Sequence, residues 1–268
     1  MQKVNDNLIP YFWHCNNLVS VLKDNFSAQA SSYAQFRPVY PQGLYDRLLD
    51  LVKEKNTAWD CGCGNGQVAS VLSAHFDEVI ATDISSGQIQ HARQKPNINY
   101  RLMPAENTDI KTSSVDLITV AQAIHWFNFE EFYKEARRVG KSESIIAVWA
   151  YKLPELNTPI DKVIQNLYSD ILGSQYWDPE RKFIEENYQT IPFPFEEILL
   201  PEFRIETSWT LENLLGYLNS WSAVQHFIGK KNINPVGQLE AEFRTAWGTE
   251  KICKVSFPVY TRIGKVNT

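Results

Sequence analysis

The chain has 268 residues, enough for one large α/β domain, or a domain with a substantial insertion, around a sizeable core. Its 26 basic and 31 acidic side chains leave a formal charge of −5, which gives no broad attraction to polyanions and argues against nucleic acid or an anionic membrane as partner. The four cysteines, Cys15, Cys61, Cys63 and Cys253, make neither a Cys-x-x-Cys pair nor a zinc spacing with the five histidines, so no metal site is expected and the thiols read as those of a reduced, cytoplasmic protein. The apolar cluster Leu8 to Cys15 is broken by Pro10 and His14 and lacks a signal-peptide core. No stretch approaches the ~20 apolar residues of a membrane span.

Residues 1–25 carry little signal and are treated as an N-terminal extension. From Phe26 the pattern sharpens: Phe26-Ser27, Tyr33 and Phe36-Arg37-Pro38-Val39-Tyr40-Pro41 lead into a helix with Leu44, Leu48, Leu51 and Val52 on its apolar face. Pro41 is expected in its first turn, where a missing N–H costs little. Next, Thr57 to Val68 reads Thr-Ala-Trp-Asp60-Cys-Gly62-Cys-Gly64-Asn-Gly66-Gln-Val, a strand, a tight turn and the start of a helix bearing Val68, Val71, Leu72 and Phe76. Three glycines at alternate positions allow positive φ and let a ligand approach the backbone. A cofactor site is one reading and a purely structural turn the other. The dinucleotide fingerprint Gly-x-Gly-x-x-Gly is broken here, because Gln67 stands where its third glycine belongs.

Glu78 to Asp83 is a compact strand ending in an acid, and Asp83 lies 23 residues beyond Asp60, the repeat at which an acid accepts hydrogen bonds from a ribose. Ser85 with Gln88 is a capping-box signature, so a helix should start at once and carry Ile89 and Ala92 inward, with Ile84 facing an adenine. A third strand, Asn99 to Met103, runs into Pro104-Ala105-Glu106. The fourth, Ser114 to Ala121, ends in Gln122-Ala-Ile-His125-Trp126-Phe127, and in open α/β sheets ligands sit outside such carboxyl ends. A helix over Asn128 to Val139 stops at Gly140, and Ser144 to Trp149 makes a fifth strand. Strands alternating with helices imply a parallel, doubly wound sheet. Beyond Tyr151 the alternation ends: helical patterns over Ile160 to Leu172 and Leu211 to Phe227, strands over Phe203 to Trp209 and Lys254 to Ile263, and the aromatics Trp177, Tyr217, Trp221, Phe227 and Trp247 suggest a helical cap. Aromatic stripes at helical spacing also serve as core.

The run Asp60-x-Gly62-x-Gly64-x-Gly66 resembles the first motif of the Rossmann-like (class I) S-adenosylmethionine-dependent methyltransferases. Phe26 to Pro41 and Leu215-Gly-Tyr217-Leu-Asn-Ser220-Trp221-Ser222-Ala resemble segments of the trans-aconitate methyltransferase subgroup. The resemblance implies a doubly wound, mostly parallel seven-stranded sheet with a helical cap in the C-terminal part. The corresponding divisions are an extension (1–25), a cofactor-binding core with its N-terminal cap segment (26–150), and the cap plus last strands (151–268). It further implies S-adenosyl-L-methionine as cofactor. Tyr33 and Arg37 would close over it, Asp60 would meet its ammonium, and Gly62, Gly64 and Gly66 would form the turn beneath. Asp83, Ile84 and Gln88 would surround ribose and adenine, Ala105 and Glu106 would lie at the adenine amino edge, and Gln122 would complete the site.

The substrate is expected to be a small molecule, with His125, Trp126, Tyr217 and Trp221 as contacts and His125 as base or orienting group. An ionised carboxylate needs no base whereas a hydroxyl, amine or carbon nucleophile would need His125 to act as one, and the trans-aconitate resemblance favours O-methylation of a carboxylic acid. No Asp/Asn-Pro-Pro-Tyr/Phe segment follows strand four, which disfavours methylation of nucleic-acid bases, and no carboxylate cluster there suits metal-assisted transfer. An NAD-dependent oxidoreductase and a non-catalytic S-adenosylmethionine-binding protein are the alternatives from other classes.

Overall fold

The computed structural model describes residues 36–267; Tyr33 and most of the Phe26 to Pro41 segment lie outside them. The first described helix, α1 (Gln42–Leu51), buries Leu44, Tyr45, Leu48 and Leu49. Pro41 is its N-cap, one position earlier than expected, because its ψ of 142° is extended rather than helical. Then follow β1 (Thr57–Cys61), α2 (Gln67–Leu72), β2 (Glu78–Asp83), α3 (Ser86–Gln90), β3 (Ile98–Leu102), β4 (Val115–Ala121), α4 (Phe129–Val139) and β5 (Gly140–Tyr151). The cap helices come in two groups. One, α5 (Thr158–Gln165), α6 (Gly173–Tyr176) and α7 (Arg181–Glu185), precedes β6 (Glu196–Glu197) and β7 (Phe203–Trp209). The other, α8 (Leu211–Asn219), α9 (Ser222–Lys231), α10 (Pro235–Gln238) and α11 (Glu240–Trp247), precedes β8 (Cys253–Lys265).

The sheet order is β3-β2-β1-β4-β5-β8, with the first five strands parallel and β8 antiparallel to β5. Strands β6 and β7 pair with the other edge of β8. Among the described residues the two-residue β6 brings the count to eight, one more than the seven expected. Chain order reverses between β1 and β4, so the carboxyl ends of these neighbours bound a crevice at the switch point. A parallel strand covered on both faces should be a continuous apolar run, and all of β4 except Ala121 is buried.

Two buried clusters cover the two faces. One joins Trp59, Ile118, Val120 and Val148 to Phe132 of α4. The other joins Leu44, Leu72, Leu117 and Trp149 to Leu214, Tyr217, Phe243 and Trp247, so the cap shares one core with the sheet. The helical pattern Leu211 to Phe227 divides at Ser220-Trp221 into α8 and α9, and Ile160 to Leu172 passes from α5 into a π-helical stretch at Asn166. Among the described residues no helix is long and apolar enough to cross a membrane.

Candidate active site

β1 delivers Asp60 to the crevice at 1% exposure. Its Oδ2 accepts from the Ala69 N–H (2.9 Å) and its Oδ1 from the Thr119 hydroxyl (2.9 Å). Ala69 is the third residue of α2, whose N-cap, Gly66, has no side chain to offer, so Asp60 caps that helix from a neighbouring strand. Burial, against the pull of these hydrogen bonds, pushes its carboxyl up to about 7. The expectation that Asp60 simply awaits an ammonium is thereby amended. It lines the crevice, but its carboxylate first ties β1, β4 and α2 together.

Between β1 and α2 the backbone turns through positive φ at Gly62, Gly64 and Gly66. A Cβ on Gly62 would fall 2.5 Å from the Ala123 Cβ, so the turn presses on the loop after β4. A Cβ on Gly64 would meet only the Gln88 side chain, at 3.7 Å, which leaves that backbone open to a ligand. Gly66 does not line the cleft: it lies beneath, where a Cβ would strike the Tyr100 hydroxyl. The Gly64 N–H donates to Asp83 Oδ2 (2.7 Å), and Asp83 Oδ1 accepts from the Ser85 N–H (2.8 Å), so this acid locks the two turns to each other.

Ser85 caps α3 through the Gln88 N–H (3.3 Å). The helix is only five residues long and buries Gln88 at 3% exposure; of the two residues expected to point inward, Ala92, just past its end, is buried and Ile89 stays half-buried. The reason is that α3 turns its amide side chain, rather than an apolar one, toward the crevice. Ile84 is 37% exposed and also lines it. Ala105 and Glu106 form the next part of the wall, Glu106 Oε1 accepting from the Asn128 N–H (2.8 Å) at the start of α4. At the end of β4, Gln122 adopts φ 56°, its N–H donating to the Trp149 carbonyl (2.9 Å) and its Nε2 to the Tyr151 carbonyl (3.0 Å). A non-glycine residue held there by two hydrogen bonds marks a site that over-determines its backbone.

Arg37, Asp60, Gly62, Gly64, Asp83, Ile84, Gln88, Ala105, Glu106 and Gln122 thus meet in one cleft, joined by Tyr40, Met103, Phe127 and Tyr151. A second cavity shares Arg37, Gln122, Trp126 and Tyr151 with it and adds His125, Lys152, Trp177, Asp178, Arg181, Tyr217 and Trp221. Arg37 bridges the two, its Nη1 donating to the Tyr151 hydroxyl (3.1 Å) and its Nη2 to the Ser220 carbonyl (3.4 Å), with the Tyr217 ring 5.5 Å away. All four expected substrate contacts line this second cavity.

His125 sits on a short 3₁₀ turn, Ile124–Trp126, with Nδ1 2.7 Å from the Tyr188 hydroxyl. Burial, and then the charge of Arg181, lower its pKa to about 3. His125 is therefore neutral at neutral pH and a weak base. Lys152, Asp178 and Arg181 also border this cavity, and sequence reasoning missed them. The signal available was Trp177-Asp178-Pro179-Glu180-Arg181, an aromatic followed by three charges just past a helical pattern. Arg181 lies 4.8 Å over the Trp177 ring, and its Nε donates to the Tyr168 hydroxyl (3.2 Å).

Three carboxylates, Asp60, Asp83 and Glu106, in a cleft with an open glycine backbone suit a cofactor bearing cations and a ribose and would repel a pyrophosphate. S-adenosyl-L-methionine fits that donor set. The family model described as a methyltransferase domain matches residues 59–148. Over 249 residues the chain is 37% identical to a Dictyostelium discoideum protein named as a methyltransferase, covering 90% of this chain and 95% of that one. A methyltransferase-like protein of Schizosaccharomyces pombe is 31% identical over 209 residues, 74% of this chain and 78% of its own. The solved structure of an Anaeromyxobacter dehalogenans protein named as a type II methyltransferase superposes with a TM-score of 0.80 at 37% identity, covering 87% of this chain and 99% of that one. The oxidoreductase and non-catalytic alternatives fall away, and the chain belongs to the Rossmann-like (class I) S-adenosylmethionine-dependent methyltransferases, with S-adenosyl-L-methionine as its cofactor.

Proposed function

We propose that this methyltransferase esterifies a small, partly apolar carboxylic acid held in the second cavity. The observation that carries this reading is the pairing of Arg37 and Arg181 with Trp126, Trp177 and Trp221 in a cavity contiguous with the cofactor cleft. Guanidinium groups match a carboxylate in charge and in planar donor geometry, and the indoles accept the apolar remainder. Bound in the cleft, S-adenosyl-L-methionine would supply an electrophilic methyl group with a thioether as leaving group. The protein's own work is then to align the acceptor oxygen and exclude water.

A carboxylic acid with a pKa of about 4 is ionised at neutral pH, so no proton need be removed. A hydroxyl, amine or carbon acceptor would need a base, and His125, held at a pKa of about 3, is poorly matched to that task. The arginines bind the ionised acid and not its neutral ester, which favours product release. The trans-aconitate resemblance of the segments that supply Arg37 and Trp221 supports the same class, and the free thiols of Cys61, Cys63 and Cys253 support a cytoplasmic setting.

The test is to incubate purified enzyme and cofactor with a panel of small carboxylic acids and their alcohol and amide counterparts, and to follow the one-methyl mass gain. Formation of methyl esters from the acids alone is expected. Methylation of the alcohols at equal or greater rate would overturn the reading.

A further inference from the structure

Directly after α7 the chain makes an uncommon turn: Asn187 and Tyr188 are consecutive non-glycine residues in the left-handed region, at φ 57° and 58°. Each such residue is strained unless its surroundings impose the conformation. Here they do. Arg262 of β8 donates through Nη1 to the Tyr188 carbonyl (3.1 Å) and the Ile191 carbonyl (2.6 Å), and its other nitrogen pairs with Glu197. The Tyr188 N–H donates to the Phe183 carbonyl (2.7 Å), and the residue is 1% exposed. What this strained, anchored turn delivers is the Tyr188 hydroxyl, 2.7 Å from His125 Nδ1.

A neutral imidazole carries one donor and one acceptor nitrogen, and a phenol is the better donor of this pair while the imidazole nitrogen is the better acceptor. The stable arrangement therefore has the tyrosine hydroxyl donating to Nδ1, which places the ring proton on Nε2. His125 lines the second cavity, and Nδ1 is occupied by Tyr188, so Nε2 is the nitrogen left for a ligand.

We propose that Tyr188 is a positioning residue that holds His125 as its Nε2–H tautomer, making the histidine a hydrogen-bond donor to the substrate instead of a proton acceptor. This rests on the second cavity being the substrate site, and it deepens that reading by naming what His125 does there. A donor at that position complements a carboxylate oxygen and is mismatched to a hydroxyl that must lose its proton. The low basicity of the buried ring is consistent with that role.

Nitrogen NMR of histidine-labelled protein reads the tautomer directly, with no need for a substrate. In the wild type His125 should show an unprotonated, pyridine-like Nδ1 and a protonated Nε2, and in Tyr188→Phe that preference should be lost. With a carboxylic acid substrate, Tyr188→Phe should raise KM about tenfold while kcat stays within about threefold, since a hydrogen bond to a charged group is weakened. A protonated Nδ1 in the wild type, or an unchanged tautomer in Tyr188→Phe, would overturn the proposal. The expected tautomer and its loss in the variant, found together with failure of every carboxylic acid as substrate, would overturn the substrate class and uphold the positioning role.

Discussion

The cofactor cleft and the second cavity share a wall, but they are assembled over different lengths of chain. The cleft's carboxylates and glycines lie between Asp60 and Glu106, held by contacts such as Gly64 to Asp83 and Ser85 to Gln88 across neighbouring strand ends. The second cavity gathers Arg37, His125, Lys152, Arg181 and Trp221, and the hydrogen bond from Arg37 to Ser220 spans 183 positions. Backbone geometry sets the first site; packing of rings and long side chains sets the second. Cofactor chemistry can therefore stay constant while the cap alters what is methylated.

Four experiments break or sharpen that contrast. Gly62→Ala should do most damage, since the added Cβ meets Ala123 at 2.5 Å in a backbone with φ of 67°. We expect a loss of about 2–4 kcal/mol in unfolding free energy by urea titration and no measurable cofactor binding by calorimetry; a normal stability would show the turn is softer than described. Arg181→Gln should raise KM for a carboxylic acid roughly 10²-fold while the cofactor Kd stays within about twofold. An equal loss of cofactor affinity would mean that the two sites are not separable.

Asp83→Asn should act in the opposite sense, weakening the cofactor by about 1.5–3 kcal/mol with little change in the KM of the acid. Unchanged cofactor affinity in a titration would move the ribose contact elsewhere. The last effect is one of pH. Asp60 has a folded-state pKa of about 7, above the ~3.9 of an unfolded aspartate. Its contribution to stability is therefore full below about pH 4 and is lost as pH rises through 7. The difference in urea midpoint between wild type and Asp60→Asn should shift in the variant's favour from pH 4 to 8; a constant difference would contradict the buried, near-neutral carboxyl.

The same contrast explains what could be read from sequence. Asp60, the three glycines and Asp83 announce themselves because a tight turn between strand and helix has few chemical solutions, so residue type and spacing alone mark it. The helix α4, expected one residue earlier at Asn128, and the whole of β7 were legible from their own local patterns. Tyr188 was not, because nothing near it in sequence reveals that a strained turn and an Arg262 anchor carry it to His125. The division between α8 and α9 was hidden too, since apolar spacing continues through Ser220-Trp221 and only the packing of Trp221 against Trp177 and Tyr217 shows the break.

The placement of β8 has a consequence for how the molecule is made. This strand fills the sheet between β5 and β7, yet a hundred residues separate it from β5. Until residues 253–265 have left the ribosome, Ile145 to Tyr151 present an unpaired apolar edge, although the cofactor crevice between β1 and β4 could already be formed. Such an edge templates association with other chains, and its late closure by a distant strand is a slow, high-contact-order step. Cofactor bound to the nascent half would stabilise the crevice but leave that edge open until β8 pairs with it.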